Sequence, residues 1–238
     1  MNNAYISYTC SDNFVPGVIA LYNSLREANC NNDFLVMVTD DVSTEARQAL
    51  TSRNLQVVEV DKVYYNGKHK DKILDRYGKK DESWKMFTKL NIWKQTNYDK
   101  LIYLDADVIV LNNIDELFDV GELGAVQGGS RMLNYDGIEA GVLVFEPSEE
   151  TYTNLTDALE EDIYNIKMSD QSFLNDYFSR MNKIQYINER YNRMYKKNNN
   201  PMGSSIFHFN SDKPWISPER IIQPCVNLWN HFYEKNYD

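Results

Sequence analysis

The sequence has little of what secreted and membrane proteins need. Its three cysteines, Cys10, Cys30 and Cys225, match no zinc or redox spacing, and their odd number argues against a disulfide framework. The N-terminus, MNNAYISY, lacks a basic segment followed by an apolar one, so we expect no signal peptide. No apolar run approaches the length of about 18 residues that a membrane span requires. These absences predict a reduced, cytoplasmic setting.

Positive charge is also scarce. The chain has 25 Lys and Arg against 35 Asp and Glu, a net charge of −10 and a pI of about 4.9. This balance argues against binding to nucleic acid or to anionic membranes, and any phosphate site must be locally positive or bridged by a metal. The 238 residues, 42% of them hydrophobic, are enough for a real core in one large α/β domain or two small ones.

One stretch, KLIYLDADVIVL at 100–111, organises the rest of the chain. Its apolar flanks predict a strand buried on both faces. Ionised groups are costly to bury, so we expect the chain to leave the sheet at Asp105. Side chains two apart in an extended segment point the same way, and Asp105 and Asp107, separated by Ala106, could then bind one Mn2+ or Mg2+. The alternative is a strand end with two solvated aspartates.

The remaining sequence alternates between strand and helix patterns, which predicts an α/β fold with a mostly parallel central sheet flanked by helices. The predicted helix caps are Ser43, Ser148 and Asp170. The polar segment 61–82 is expected to be a mobile, partly helical surface, and 191–204 a loop. Strands are predicted at 4–9, 34–39, 56–60, 124–128, 137–145, 183–188 and 206–209, and helices at 15–28, 43–52, 83–96, 114–118, 148–163, from 170 to 178 and in the tail at 225–237.

Two residues near the end of the chain extend the metal hypothesis. His208 lies on a short buried strand, and Lys213 follows in a turn-rich segment. Histidine is a metal ligand and lysine a phosphate partner, so together with the two aspartates they would form a metal–diphosphate clamp. Each of these residues also has a structural alternative. His208 could be a core histidine with its hydrogen bonds satisfied, and Lys89 could be a solvated surface side chain. Asp170 and Gln171 could simply cap a helix.

Five motifs in a fixed order carry a family resemblance. They are YISYTCSDNFVPGVIALYNSL, FTKLNIWKQTNYDKLIYLDADVIVLNNIDELF, GVLVFEPS, DQSFLN and HF…KPW. With these motifs the sequence resembles the glycogenin-like members of glycosyltransferase family 8 over nearly its whole length.

The resemblance implies a Rossmann-like GT-A fold in one domain, 1–238, with a nucleotide-binding half at 1–111 and an acceptor and sugar half at 112–238. It implies transfer of a hexose, with glucose as the first candidate, from a UDP-sugar to a hydroxyl acceptor, with retention at the anomeric carbon. The acceptor would be a glycan, a protein tyrosine or a polyol, and the cofactor Mn2+ or Mg2+. Homodimers occur in the family.

The resemblance also implies residue roles. Asp105, Asp107 and His208 would bind the metal, and Lys213 the diphosphate. Asp170 and Gln171 would lie at the reaction centre. The implied donor contacts are Tyr8, Thr9 and Ser11 at the uridine, Phe14 stacked near uracil, Lys80, Lys89, Ala106, Glu139, Ala140 and Gly141.

Several positions depart from the family pattern. Glu139 and Ala140 replace an Asn-Ser pair, and Lys167 replaces an Asp, all near the sugar, so the donor hexose stays open. The segment from His208 to Lys213 is one residue shorter than in glycogenin and lacks its glycine. Self-glucosylation, as in glycogenin, would fall on Tyr191 or Tyr195.

Other readings of the motifs remain. A galactinol-synthase-like transfer of galactose to inositol fits the same motifs. A phosphohydrolase of the haloacid dehalogenase type is disfavoured, because in that class the Asp pair follows the first strand, whereas here it comes after the fourth or fifth. A nucleotide-sugar-binding protein without turnover is disfavoured because the site residues are intact. Retention by double displacement would need a second carboxylate, which the sequence does not make obvious, and attack on the leaving-group face is the alternative.

Overall fold

The computed structural model describes residues 1–65, 82–130, 135–161, 163–196 and 201–236. The strands in this part of the chain are β1 (Asn3–Thr9), β2 (Asp33–Val38), β3 (Gln56–Glu59), β4 (Lys100–Leu104), β5 (Val108–Val110), β6 (Leu123–Ser130), β7 (Tyr135–Phe145), β8 (Ile184–Ile187), β9 (Arg193–Met194) and β10 (Ile206–His208). The α-helices are α1 (Val15–Glu27), α2 (Thr44–Thr51), α3 (Trp84–Phe87), α4 (Glu149–Glu160), α5 (Asp170–Arg180) and α6 (Gln223–Tyr233).

The central sheet has seven strands in the order β3-β2-β1-β4-β7-β6-β8. The first four are parallel, and α1 and α2 are the crossover helices from β1 to β2 and from β2 to β3. Strand β7 is antiparallel to both β4 and β6, and β8 is parallel to β6. The predicted mostly parallel α/β sheet is therefore confirmed. A smaller sheet, β5-β10-β9, pairs Val108 with His208.

Apolar side chains cover both faces of the central sheet, as expected for buried parallel strands. On β1, Ile6 belongs to the cluster under α4 and α5, whereas Tyr5 points into the cluster under α1. A third cluster joins the small sheet to α6 through Phe207 and Trp229. These apolar clusters cover the two faces of the sheet, so its edges are where a site can form.

The apolar run at 100–111 divides between two sheets. Strand β4 ends at Leu104, the Asp105–Ala106–Asp107 segment turns, and β5 enters the small sheet. The predicted exit from the sheet at Asp105 is therefore confirmed. The two aspartates come together through this turn rather than through the extended alternation we had expected.

Three other expectations are corrected. The helix at 83–96 is α-helical only in α3 and continues as a 3-10 helix over Thr88–Lys94. Asp170 is not the cap of α5 but its first residue; Ser169 precedes it with a φ of 56°. The segment 191–204 contains β9 within its loops. Of the segment 61–82, only 61–65 and 82 lie within the described residues.

Two smaller expectations are met. Ser43 and Ser148 cap α2 and α4 as predicted, each accepting a backbone N–H in the first turn. None of the helices in the described ranges is both long and apolar enough to cross a membrane.

Candidate active site

A cleft of about 670 Å³ opens where β1 and β4 end, beside the middle of β7. Carboxyl ends of parallel strands are the usual ligand-binding edge of an α/β sheet. All the predicted site residues that the structure describes line this cleft: Tyr8, Thr9, Ser11, Phe14, Lys89, Asp105, Ala106, Asp107, Glu139, Ala140, Gly141, Asp170, Gln171, His208 and Lys213. Lys80 lies outside the described residues.

Asp105, Asp107 and His208 form one cluster, in which each offers a ligand atom within 4.8 Å of the others. The pairing of β5 with β10 brings it about, because Val108 lies opposite His208 and the backbone N–H of Phe209 donates to Asp107 O at 2.9 Å. His208 Nε2 lies 3.0 Å from Asp107 Oδ1 and 4.0 Å from Asp105 Oδ2. Two carboxylates and one imidazole are a donor set that suits a divalent cation such as Mn2+.

The histidine is held in a ligating orientation. Its Nδ1 lies 2.8 Å from Asn192 Oδ1, so Nε2 faces the two carboxylates. Metal-binding histidines are usually fixed through their second nitrogen in this way. On the opposite side, a Cβ at Gly141 would lie 2.5 Å from His208 Cε1 and 3.1 Å from Asp105 Oδ2, so only glycine lets β7 pass this close. These residues fit a metal site.

The charged groups of the cluster shift one another's pKa values. Burial would raise the pKa of Asp107, but His208 and the Lys213 ammonium, 2.5 Å from Asp107 Oδ2, lower it overall. Burial would likewise lower the pKa of His208, yet Asp107 and Asp105 raise it. Asp107 is thus ionised at neutral pH, as a metal ligand must be.

Lys89 connects this cluster to the other end of the cleft. It is only 8% exposed, which excludes the alternative of a solvated side chain. Its ammonium lies 3.2 Å from Asp105 Oδ1 and 2.8 Å from Asp170 Oδ2, and donates to the Ala140 carbonyl at 3.3 Å. Burial would lower the pKa of Lys89, but the two carboxylates raise it. Lys89 is therefore charged, and it fixes the spacing between Asp105 and Asp170.

Gln171 and Glu139 complete that end of the cleft. Gln171 Oε1 accepts the backbone N–H of Ala140 at 3.0 Å. Glu139 also lines the cleft, and burial raises its pKa. The family resemblance names Glu139 as a donor contact and Asp170 at the reaction centre, and the structure places both carboxyl groups in the same cleft. Because they lie on different elements, far apart along the chain, the sequence does not show that they form a pair.

The opposite end of the cleft follows β1. Ser11 caps the 3-10 turn Asp12–Phe14 by accepting the N–H of Asn13. Trp215 Nε1 donates to the Asn13 carbonyl at 2.7 Å, and the Phe14 ring meets Trp215 edge-on at 5.9 Å. The loop after β1 is thus tied to the segment that carries Lys213.

Several lining residues were not predicted: Cys10, Asn13, Lys85, Met86, Tyr103, Met168, Met194 and Asn210. Tyr103 could have been predicted from the sequence, because it lies two residues before Asp105 and side chains two apart on a strand point the same way. In the structure its hydroxyl donates to Asp105 Oδ1 at 2.6 Å. Asn192, which orients His208, had none, because only the fold brings it to the histidine.

Neither predicted self-modification tyrosine lines the cleft. Tyr191 and Tyr195 are each 7% exposed. The Tyr191 hydroxyl bonds Glu116 Oε1 at 2.5 Å, and the Tyr195 hydroxyl accepts the N–H of Ile222 at 3.1 Å.

Sequence comparisons find relatives of this chain. The model of glycosyl transferase family 8 matches residues 5–218. Glycogenin-1 of Caenorhabditis elegans is 33% identical over 180 residues, covering 75% of this chain and 40% of that protein. UDP-glucuronate:xylan alpha-glucuronosyltransferase 1 of Arabidopsis thaliana is 27% identical over 216 residues, covering 85% and 30% respectively. The chain thus spans less than half the length of these relatives.

Solved structures show the same architecture. The galactosyltransferase LgtC, in complex with donor and acceptor sugar analogs, superposes with a TM-score of 0.69 at 17% identity, over 97% of this chain and 95% of that one. GlyE of Streptococcus pneumoniae TIGR4, in its apo form, gives 0.69 at 18% identity, over 99% and 61%. The predicted GT-A fold is confirmed.

Proposed function

The chain belongs to glycosyl transferase family 8, and on that premise we propose that it transfers glucose from UDP-glucose to a hydroxyl acceptor with retention at the anomeric carbon. The observation that carries the proposal is the cluster of Asp105, Asp107 and His208 beside Lys213, at the edge where a GT-A sheet takes its ligand.

In this proposal Asp105, Asp107 and His208 hold Mn2+. A bound divalent cation would supply positive charge to the departing diphosphate. Lys213 would give up its contact with Asp107 and bind a phosphate oxygen of the donor instead. Its ammonium group would supply the local positive charge that a phosphate site needs in a chain of net negative charge. Thr9, Ser11 and Phe14 would bind the uridine, since the cleft continues from the metal cluster to the loop after β1.

During transfer, the bond between C1 of the sugar and the β-phosphate oxygen breaks, and C1 forms a bond to the acceptor oxygen. The acceptor proton leaves with the diphosphate or to solvent. Asp170, held by Lys89, would stabilise positive charge at C1, and Gln171 would position the sugar. Both routes to retention stay open: attack on the leaving-group face, or double displacement through a carboxylate such as Glu139 or Asp170.

Charge favours a neutral donor. The relatives' names include a UDP-glucuronate transferase as well as glycogenins. Here Glu139 and Asp170 both line the cleft, and Lys89 is already shared between Asp170 and Asp105, so a uronate carboxylate would compete with these two aspartates for the same ammonium group. Galactose, the donor sugar of the galactinol-synthase-like alternative, is also neutral, so the donor screen below includes it.

A separate acceptor fits the geometry better than self-glucosylation. The Tyr191 and Tyr195 hydroxyls are buried, bonded and outside the cleft, so modification would require them to leave those partners.

The deciding experiment measures UDP release with Mn2+ and no acceptor, from UDP-glucose, UDP-galactose, UDP-xylose and UDP-glucuronate, followed by intact-protein mass. We expect UDP release to be fastest with UDP-glucose and the protein mass to stay unchanged. Asp107→Asn should slow release by at least about 100-fold, because it removes a metal ligand. The exposed Asp157→Asn is the matched control. Equal rates in both variants would refute the proposed site, and a hexose ladder on the protein would establish self-transfer instead.

A further inference from the structure

A second cleft, of about 430 Å³, lies at the same edge of the sheet as the active-site cleft. Strands β4, β6 and β8 all run in the same direction, because β7 is antiparallel to β4 and β6, and β8 is parallel to β6. The second cleft forms where β6 and β8 end, and its lining includes Gln127, Gly128, Gly129, Asp136, Tyr186 and Glu189. None of these residues belongs to the site described above.

The two clefts share a wall. Gly128 lines the second cleft and Glu139 the first. A Cβ on Gly128 would lie 2.1 Å from Glu139 Oε1, so the Glu139 side chain occupies the space that a side chain at 128 would fill. Glu139 lies two residues before Gly141 on β7, and both line the active-site cleft, where Gly141 faces His208 and Asp105. A ligand in the second cleft therefore lies one side chain away from the candidate reaction centre.

The lining of the second cleft has the chemistry of a carbohydrate site. Tyr186 is 51% exposed, and its ring offers an apolar surface to the C–H face of a sugar. Gln127, Asp136 and Glu189 are exposed amide and carboxylate groups, which bond hydroxyls at the sugar's edge. The two glycines leave the backbone of β6 open to close approach. The volume is within the usual range of about 300–1,000 Å³ for small-ligand sites.

The charged side chains of the second cleft indicate which kind of ligand it would bind. Asp136 and Glu189, which line this cleft, each carry a carboxylate. A phosphorylated or uronic acid ligand would meet like charges there, whereas a neutral sugar chain would not.

We propose that the second cleft is an acceptor subsite, which binds the inner sugar units of a neutral oligosaccharide while its terminal hydroxyl reaches past Glu139 into the active-site cleft. This inference rests on the proposed glycosyltransferase function and names the class of its acceptor. A protein tyrosine or a single polyol would leave this cleft unused.

The test compares glucose with three neutral chains, maltohexaose, xylohexaose and cellohexaose, as acceptors for the wild-type protein with Mn2+ and its best donor. We expect kcat/KM for one of the chains to exceed that for glucose by at least about tenfold. Tyr186→Ala should raise KM for that chain by about tenfold and leave acceptor-free UDP release unchanged. Tyr233→Ala, at a tyrosine 38% exposed on α6, is the matched control and should change neither quantity.

Three outcomes would overturn the subsite: transfer to none of the chains while UDP release continues, equal loss for glucose and the chain in Tyr186→Ala, or no effect of that variant. Saturation-transfer NMR with the three chains, in the presence of Mn2+ and UDP, separates this proposal from the proposed activity. Signals that Tyr186→Ala abolishes would support the subsite even if UDP release fails, and absence of signals from the wild type would refute it.

Discussion

Lys89 is the residue that links the metal cluster to the candidate reaction centre. Its buried ammonium is the common partner of Asp105 and Asp170, while Tyr103 adds a hydrogen bond to Asp105. Buried charges are tolerated when they are paired, and removing one partner leaves the others uncompensated. The same ion pairs therefore serve folding and the geometry of the site.

Lys89→Met should lower the free energy of unfolding by about 3–5 kcal/mol, because it leaves two carboxylates without their cation. Urea denaturation measures this. Lys94→Met is the control: Lys94 lies on the same 3-10 helix but is exposed, and we expect a change below about 1 kcal/mol. Equal losses in the two variants would show that Lys89 is not a buried structural charge.

At the scale of elements, β7 is the strand that assembles the site. Its backbone continues past the end of β4, where Asp105 N–H donates to the Gly141 carbonyl at 2.9 Å. Ala140 bonds Lys89 and Gln171 through its backbone, and Gly141 faces His208. One strand thus carries contacts to the metal cluster and to the reaction centre, and its glycine sets how closely they approach.

Gly141→Ala tests this role of β7. The added methyl group would displace His208 and Asp105, so we expect Mn2+ affinity to fall by at least about tenfold, with a loss of about 1–3 kcal/mol in stability from overpacking. Titration calorimetry with Mn2+ and thermal unfolding measure the two effects. In the control, Gly121→Ala, the nearest atom is the mobile end of Gln185, and Mn2+ affinity should not change. Retained Mn2+ binding in Gly141→Ala would disprove the cluster as the metal site.

For the molecule as a whole, α6 closes the chain back onto its beginning. Asn23 on α1 donates to the carbonyls of Phe232 and Lys235 at 2.8 and 2.7 Å. Trp229 stacks on Trp215 with centroids 5.2 Å apart, and Trp215 in turn contacts Phe14 beside the cleft. The C-terminal helix therefore supports the loop that we propose binds the nucleotide.

Trp229→Ala should destabilise the protein by about 3–5 kcal/mol, since it empties a buried aromatic position between α6 and the small sheet. Urea unfolding followed by circular dichroism measures the loss, and a single transition for the wild type would support the prediction of one domain over 1–238. Tyr233→Ala, at an exposed position stacked on Trp229, should cost about 1 kcal/mol. If the two variants lose the same stability, burial of Trp229 is not what holds α6.

The sequence by itself determined much of this protein. Apolar runs and polar turns predicted the strands and helices, because burial on both faces of a parallel sheet leaves a pattern along the chain. The cost of burying charge predicted that the chain turns at Asp105. The family resemblance selected residues far apart along the chain, such as Tyr8 and Lys213, that line one cleft in the structure.

Only the tertiary structure decided what depends on contacts between distant segments. The partnership of Lys89 with Asp105 and Asp170, the hold of Asn192 on His208, and the contact of Glu139 with Gly128 leave no periodic pattern in the sequence. The second cleft likewise exists because β8 pairs with β6 rather than with a strand near it in the chain. A pattern along the sequence records whether a residue is buried, whereas its partner is chosen by strand order and register.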